Sequence, residues 1–173
     1  MKKWVVVSFF IFSINTVYTS AADCAREFPG SVPLENGHRA YAFLHALQLK
    51  IGNQATPIQL CVWEGDKLSS EIESHRLETA TIAASRLTFT RFSNDALTGA
   101  LAHELGHLMG DSQNLYPDVR EMEREDQMAD AFATRLVGAK PLLAAYIEHA
   151  HNTAMAERRI TRALKLLNKK DGK

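Results

Sequence analysis

The sequence predicts a mainly helical α+β domain with a small β-sheet. Several long segments repeat apolar residues at three- and four-residue spacing, which is typical of amphipathic helices. Two shorter segments have the alternation or the β-branched residues that favour strands. The chain of 173 residues suits one domain, and no internal repeat or Gly/Ser-rich linker divides it.

The composition excludes several classes of protein. Hydrophobic residues make up 46% of the chain, which is ordinary for a folded protein and excludes global disorder. The 20 basic residues balance the 20 acidic residues, so no overall positive field exists to neutralise phosphates. We therefore expect no nucleic-acid partner.

The first 22 residues are predicted to be a secretory signal peptide. A positive head with two lysines precedes an apolar stretch over 4–14, and the small residues 20–22 form a cleavage site. As a helix the apolar stretch rises only about 16 Å, which is too short for a membrane anchor. Cleavage leaves a single domain over 23–173, with 18 basic and 20 acidic residues and no further membrane-spanning run. We expect export across the inner membrane to the periplasm or the extracellular space.

Export would place both cysteines of the chain in an oxidising compartment. The two are Cys24 and Cys61, and an exported protein with only two cysteines commonly pairs them. We therefore predict a disulfide bond between them, with two buried free thiols as the alternative.

The elements of the first half are a helix and two strands. Residues 36–51 repeat apolar side chains with helical spacing, and Gly52 ends this helix. Residues 57–63 alternate as a strand does. A second strand is predicted over 78–85, with 86–92 as its extension, whereas the polar segment 67–77 has no clear pattern.

The second half is predicted to be helical. Capping residues at 93–95 start a helix that ends at Met109, before Gly110. Another helix covers about 120–137. The last helical stretch begins at Pro141 and reaches about residue 167, with a candidate break near Asn152 and a frayed tail after it.

The clearest functional signal is a His-Glu-x-x-His motif formed by His103, Glu104 and His107. In a helix the two histidines lie one turn apart on the same face, so both imidazoles can reach one ion. Two imidazoles, one carboxylate and an open position suit Zn2+. Glu104 is offset by about 100° from His103, where it can take a proton from a zinc-bound water as a general base. The motif thus predicts one Zn2+ per chain and metal-assisted hydrolysis.

The third zinc ligand is expected from the helix over 120–137. Its apolar stripe consists of Met122, Ala129, Ala133 and Leu136. Asp126 falls within this stripe, where a carboxylate is costly unless it is paired or metal-bound. We expect Asp126 to be the ligand, with Glu125 or Glu123 as the alternatives. Asp130, one turn further on, is placed to accept the free N–H of a ligand imidazole.

Three stretches resemble a known family. Residues 81–87 are similar to an edge strand that precedes an active-site helix, 93–107 contain an acidic cap followed by Leu-Ala-His-Glu, and 126–133 are similar to a Glu-x-x-Ala-Asp segment. Together they resemble the gluzincin metallopeptidases of the HtpX and CAAX-prenyl-protease type. The resemblance implies a zincin-like fold in which an edge strand lies beside the His-Glu-x-x-His helix. It also implies a small, soluble zinc endopeptidase that takes a peptide or an unfolded protein as substrate.

The sequence departs from this family at two places. Asp126 stands where the family has a Glu ligand, and because Asp is one methylene shorter, it can ligate only if the two helices lie closer together. The family's late His-Pro and Arg-Ile element is matched only by His151 and by Arg159. The resemblance implies that these two act near the oxyanion of the transition state. A plain helix-surface position is the alternative for His151.

These observations favour a zinc endopeptidase that hydrolyses peptide bonds in exported proteins or peptides. The sequence leaves two other classes of protein open. One is a periplasmic metal-binding protein without catalysis, such as a pseudo-peptidase or a chaperone-like protein. The other is a small binding module without metal, in which the His-Glu-x-x-His motif is incidental.

Overall fold

The computed structural model describes residues 21–52, 57–63, 72–76, 80–110, 119–150 and 153–171. Its elements in chain order are α1 (Ala21–Glu27), β1 (Ser31–Pro33), α2 (Arg39–Ile51), β2 (Ile58–Trp63), β3 (Ile72–Arg76), β4 (Ala80–Ser85), α3 (Arg86–Arg91), α4 (Asn94–Met109), α5 (Val119–Val137), α6 (Ala139–Ala150) and α7 (Thr153–Asp171). The predicted α+β class is confirmed, since helices predominate over one small sheet.

The four strands form a mixed sheet in the order β1-β2-β4-β3. The central pair, β2 and β4, is parallel, with Leu60 opposite Ile82. The outer strands β1 and β3 are antiparallel to their neighbours, and Ser74 of β3 lies opposite Ile82. One face of the central pair carries Leu60, Val62 and Ile82 into the main core, beneath the helices.

The strand implied to be the edge strand lies inside the sheet. The resemblance placed residues 81–87 at the edge, but β4 pairs on both sides, so that expectation is wrong. The edge strand beside α4 is β3, which arises from the polar segment that the sequence left unassigned. Ser74 of β3 donates a hydrogen bond of 3.3 Å to the main-chain oxygen of Glu104 on α4. An edge strand therefore lies beside the helix that carries the motif.

The predicted extension of the second strand over 86–92 is also wrong, because residues 86–91 form α3. Ser85 ends β4 and caps this helix, and its Oγ accepts a hydrogen bond of 3.3 Å from the main-chain N–H of Thr88. A serine cap satisfies a donor that has no partner within the helix. The cap thus outweighs the strand preference of the threonines that follow.

The longer helices agree with their predicted positions, with differences at their ends. α4 spans Asn94–Met109, as expected, and α5 spans Val119–Val137. α6 begins at Ala139, before Pro141, and α7 continues to Asp171, through the tail predicted to be frayed. No helix among the described residues is long and apolar enough to cross a membrane. Most of the predicted signal peptide lies outside the described residues, and α1 begins at its predicted cleavage site.

Helix α4 is the centre of the main core. Leu97, Leu101 and Leu105 are fully buried along it, and α4 packs against α5, α6 and β3. At Gly99 the helix approaches α6 so closely that an added Cβ would lie 2.2 Å from the main-chain oxygen of Pro141. This packing fixes the position of the helix that carries the motif.

The predicted disulfide between Cys24 and Cys61 is confirmed. It joins α1 to β2 across the face of the sheet that lies away from α4, with a Cα–Cα distance of 5.8 Å. Both cysteines are fully buried in a small second core with Phe28, Trp63 and Ala83. The rings of Phe28 and Trp63 meet edge to face with centroids 5.6 Å apart. The disulfide thus attaches the first helix to the sheet.

Replacement of Cys24 and Cys61 together by alanine is expected to lower the free energy of unfolding by up to about 4 kcal/mol, because the bond restricts the unfolded chain. Urea unfolding of the variant and of the unsubstituted chain measures this difference. A reductant should destabilise the unsubstituted chain and leave the double variant unchanged, since the chain has only these two cysteines. Equal stability of the double variant and the oxidised unsubstituted chain would show that the bond is not a stabilising one.

Candidate metal centre

The start of helix α4 is fixed by polar contacts. The Oγ of Ser93 accepts a hydrogen bond of 3.1 Å from the N–H of Ala96, which makes Ser93 the N-cap. Glu148 of α6 accepts hydrogen bonds from both the main-chain N–H and the hydroxyl of Ser93, at 2.8 Å and 2.6 Å. The helix that carries His103 and His107 is therefore anchored to α6 at its first turn.

Three potential metal ligands converge between α4 and α5. The Nε2 atoms of His103 and His107 lie 3.1 Å apart, and their rings meet edge to face. Asp126 Oδ1 lies 3.4 Å from Nε2 of His107 and 3.9 Å from Nε2 of His103. These three residues form a group whose ligand atoms all lie within 4.8 Å of one another, and such a group could bind a metal ion.

The spacing of the three ligand atoms suits a tetrahedral metal site. In a tetrahedral zinc site, ligand atoms about 2.1 Å from the ion lie about 3.4 Å from one another. The separations of 3.1, 3.4 and 3.9 Å between the ligand atoms are close to that value. Two imidazole nitrogens and one carboxylate oxygen are also ligands that zinc accepts, with one position left open. The exposed fraction of the Asp126 side chain is 46%, so the group is open to solvent on the side of α5.

The far side of the His103 ring is held by a carboxylate and a phenol. Nδ1 of His103 lies 2.9 Å from Oδ1 of Asp130, and the Tyr146 hydroxyl donates a hydrogen bond to the same oxygen. The Tyr146 oxygen itself lies 3.2 Å from Nδ1 of His103. A proton on Nδ1 that is donated to Asp130 leaves the lone pair of the imidazole on Nε2, which faces the metal group.

Arg159 of α7 contacts both aspartates of α5. Its Nε lies 3.0 Å from Oδ2 of Asp130, and its Nη2 lies 3.2 Å from Oδ1 of the same carboxylate. The same Nη2 donates to Oδ2 of Asp126 at 3.0 Å. The guanidinium also stacks over the Tyr146 ring, 4.3 Å from its centroid. Arg159 thus links Asp126, which has a potential ligand oxygen, to Asp130, which contacts the ring of His103.

Glu104 is a buried residue of the same helix. Only 4% of the residue is exposed, and this burial raises the pKa of its carboxyl group. His103 and His107 lower the same pKa but do not outweigh burial. Without a nearby cation, the carboxyl group therefore favours its protonated form more than an exposed glutamate does. A divalent cation at the neighbouring group would favour the carboxylate instead, because opposite charges stabilise the ionised form.

The two aspartates have the opposite tendency. Burial alone would raise the pKa of Asp126, but its contacts with His107 and Arg159 outweigh burial and lower that pKa. Burial is likewise outweighed at Asp130, whose pKa is lowered by His103 and Arg159. Both groups are thus held as carboxylates, the form that can ligate a metal or accept a proton from imidazole.

Helices α4 and α5 lie in close contact beside the ligands. A Cβ added to Gly106, inside the motif, would lie 2.7 Å from Cα of Ala129 and 3.1 Å from its Cβ. Ala129 is almost fully buried, one turn after Asp126. This contact brings the backbones of α4 and α5 close together beside Asp126.

The structure brings together most of the residues that the sequence singled out. His103, His107 and Asp126 form the candidate ligand group, and Asp130 and Arg159 adjoin it. Of the alternative ligands, Glu123 is exposed to solvent. The charge of Glu125 contributes to raising the pKa of His107. Neither belongs to the group. The predicted catalytic residue His151 lies outside the described residues.

Two residues of the site were missed by sequence reasoning. Tyr146 lies in an apolar stretch of α6 and is buried. Its hydroxyl group, on an otherwise apolar face, was the feature of the sequence that could have indicated a polar contact. Ser74 lies on β3, in the segment without a clear pattern, and its hydroxyl contributes to the pKa of Glu104 by lowering it. Neither contact follows from spacing along one element, because each joins residues far apart in the chain.

Comparison of the chain with protein-family models, with curated proteins and with solved structures gives no match.

Proposed function

We propose that the chain is a zinc-dependent endopeptidase. The observation that carries this proposal is the convergence of His103, His107 and Asp126 beside the buried Glu104. A zinc ion held by the three residues would supply a Lewis acid for a carbonyl group and for water. Glu104 would act as the general base that takes the proton of the attacking water and delivers it to the leaving amine.

The edge of β3 is the proposed position of the substrate. β3 lies beside α4, and no other strand among the described residues pairs with its outer side. An extended peptide can add to such an edge through main-chain hydrogen bonds. It would then run past Glu104, with its carbonyl groups near the metal centre. Because main-chain bonds need no particular side chain, the proposed substrates are unfolded segments of exported proteins or peptides.

Burial of Glu104 favours a second candidate, a metal-binding protein without catalysis. A fully buried carboxyl group with a raised pKa suits a structural role as well as a catalytic one. In that case the metal would stabilise the contact between α4 and α5, and the protein would bind unfolded partners without cleaving them. Zinc content and cleavage, measured on the same sample, distinguish the two candidates.

The test is a measurement of zinc stoichiometry together with cleavage of unfolded casein by the purified chain. The endopeptidase proposal predicts about one zinc per chain. It also predicts cleavage that stops on chelation and returns on addition of zinc. One equivalent of zinc with no cleavage of casein or of other unfolded exported proteins would favour the second candidate. Less than about a tenth of an equivalent would contradict both.

Replacement of Asp126 by alanine is expected to weaken zinc binding by more than about 100-fold, since loss of a ligand exceeds the effect of losing a residue that only orients one. Zinc retained after dialysis against a chelator measures this. Glu123→Ala and Glu125→Ala are matched controls from the same helix, and both should retain zinc. Loss of zinc in Glu125→Ala with retention in Asp126→Ala would assign the third ligand to Glu125 instead.

A further inference from the structure

Asp126 has its two carboxylate oxygens in different surroundings. Oδ1 faces the imidazoles of His103 and His107, at 3.9 and 3.4 Å from their Nε2 atoms. Oδ2 accepts a hydrogen bond of 3.0 Å from Arg159. A carboxylate held in this way presents one oxygen to the metal position and directs the other away from it.

The carboxylate of Asp126 is held by two groups, Arg159 at Oδ2 and the His107 imidazole at Oδ1. Its side chain is 46% exposed, so packing alone leaves the carboxylate free to rotate. The Arg159 side chain is only 25% exposed and has little freedom, because it also binds Asp130 and stacks on Tyr146. A planar guanidinium can bind two carboxylates at once in fixed directions, which the single charge of a lysine cannot do.

We propose that Arg159 is a positioning residue that makes Asp126 a one-oxygen ligand of the metal. By binding Oδ2 it leaves Oδ1 for the ion and the remaining position open for water or substrate. The same guanidinium holds Asp130, which orients His103, so α7 positions two of the three ligands. This inference rests on the proposed zinc site and deepens it. The sequence resemblance implied a contact of Arg159 with the oxyanion, whereas its observed contacts are with the two carboxylates and the Tyr146 ring.

The first test is zinc affinity, measured by competition with a chromophoric chelator. Arg159→Gln should weaken binding by about 10- to 100-fold, the usual effect of losing a residue that orients a ligand. Arg158→Gln is the matched control, because Arg158 is the exposed neighbour on α7, and it should bind zinc as tightly as the unsubstituted chain. Unchanged affinity in Arg159→Gln would overturn the proposal.

A double-variant cycle shows whether Arg159 acts through the ligand. In the Asp126→Ala background, Arg159→Gln should lower zinc affinity less than it does in the unsubstituted chain, because the ligand that Arg159 positions directly is gone. An equal effect in both backgrounds would overturn the proposal, since Arg159 would then act elsewhere. Unfolding of the metal-free proteins is measured in parallel, because a purely structural role would reduce stability without this dependence on Asp126.

The zinc affinity of Arg159→Lys and the zinc content of the unsubstituted chain are two further tests. If Arg159→Gln does not fold, Arg159→Lys takes its place and should bind zinc more weakly than the unsubstituted chain. A lysine that restores full affinity would overturn the two-carboxylate role. Absence of zinc from the unsubstituted chain would overturn both the proposed function and this inference. Zinc binding and cleavage by the unsubstituted chain, with full affinity in Arg159→Gln, would overturn this inference alone.

Discussion

Replacement of Glu104 by glutamine is expected to lower the rate of casein cleavage by about 100- to 10,000-fold, the range that a general acid–base group contributes. Zinc should remain at one equivalent per chain, because Glu104 is not part of the ligand group. Glutamine preserves the shape of the side chain but cannot take a proton from water. The measurement is cleavage by the zinc-loaded variant, with zinc content determined on the same sample.

The same substitution has an expected effect on stability that follows from burial. The pKa of Glu104 is higher in the folded chain than in the unfolded chain. At pH values between these two pKa values, the folded state therefore binds more protons than the unfolded state. Stability that depends on this group is therefore present at low pH and is lost as the pH rises through that interval. At neutral pH the metal-free Glu104→Gln variant should be at least as stable as the unsubstituted chain, as urea unfolding would measure.

Glu125→Gln provides the control for both measurements. Glu125 lies near His107 but outside the ligand group, so this variant should keep its zinc and most of its cleavage. Full cleavage by Glu104→Gln would contradict the general-base role. Loss of zinc from Glu104→Gln would instead show that the buried carboxyl group has a structural role in maintaining the metal centre.

The site was predictable from sequence where its residues share an element. His103 and His107 are one helical turn apart, so the helix alone places their rings on one face. The same periodicity placed Asp126 and Asp130 along one side of α5. Helical geometry is local and regular, and capping residues such as Ser93 mark where it begins.

The rest of the site depends on contacts that no local pattern encodes. Arg159 reaches the aspartates from a different helix, and Tyr146 reaches Asp130 from a third. The polar strand β3 forms because β4 supplies hydrogen-bonding partners, although its own sequence has little strand pattern. The resemblance also assigned the edge to the wrong strand, since pairing order in a sheet is not visible in one strand's sequence.

Replacement of Gly106 by alanine is expected to weaken both the fold and zinc binding. In an ordinary helix interior this change is stabilising by roughly 0.5–1 kcal/mol. Here the new Cβ would lie 2.7 Å from Cα of Ala129, a backbone atom that can yield only if α5 moves. Such overpacking costs about 1–3 kcal/mol, so the steric effect outweighs the helix preference. Movement of α5 carries Asp126 away from the histidines, and a displacement of about 1 Å can reduce cleavage by about 100-fold.

Gly99→Ala is the matched control, because it crowds the same helix at a different neighbour. Its Cβ would lie 2.2 Å from the main-chain oxygen of Pro141 on α6, which should lower stability at least as much. The folded fraction of Gly99→Ala should nevertheless bind zinc more tightly than that of Gly106→Ala, because α5 keeps its distance from α4. Urea unfolding and chelator competition on both variants separate the two effects. If Gly106→Ala binds zinc as tightly as the unsubstituted chain, then Asp126 does not need the close approach at Ala129 to reach His103 and His107.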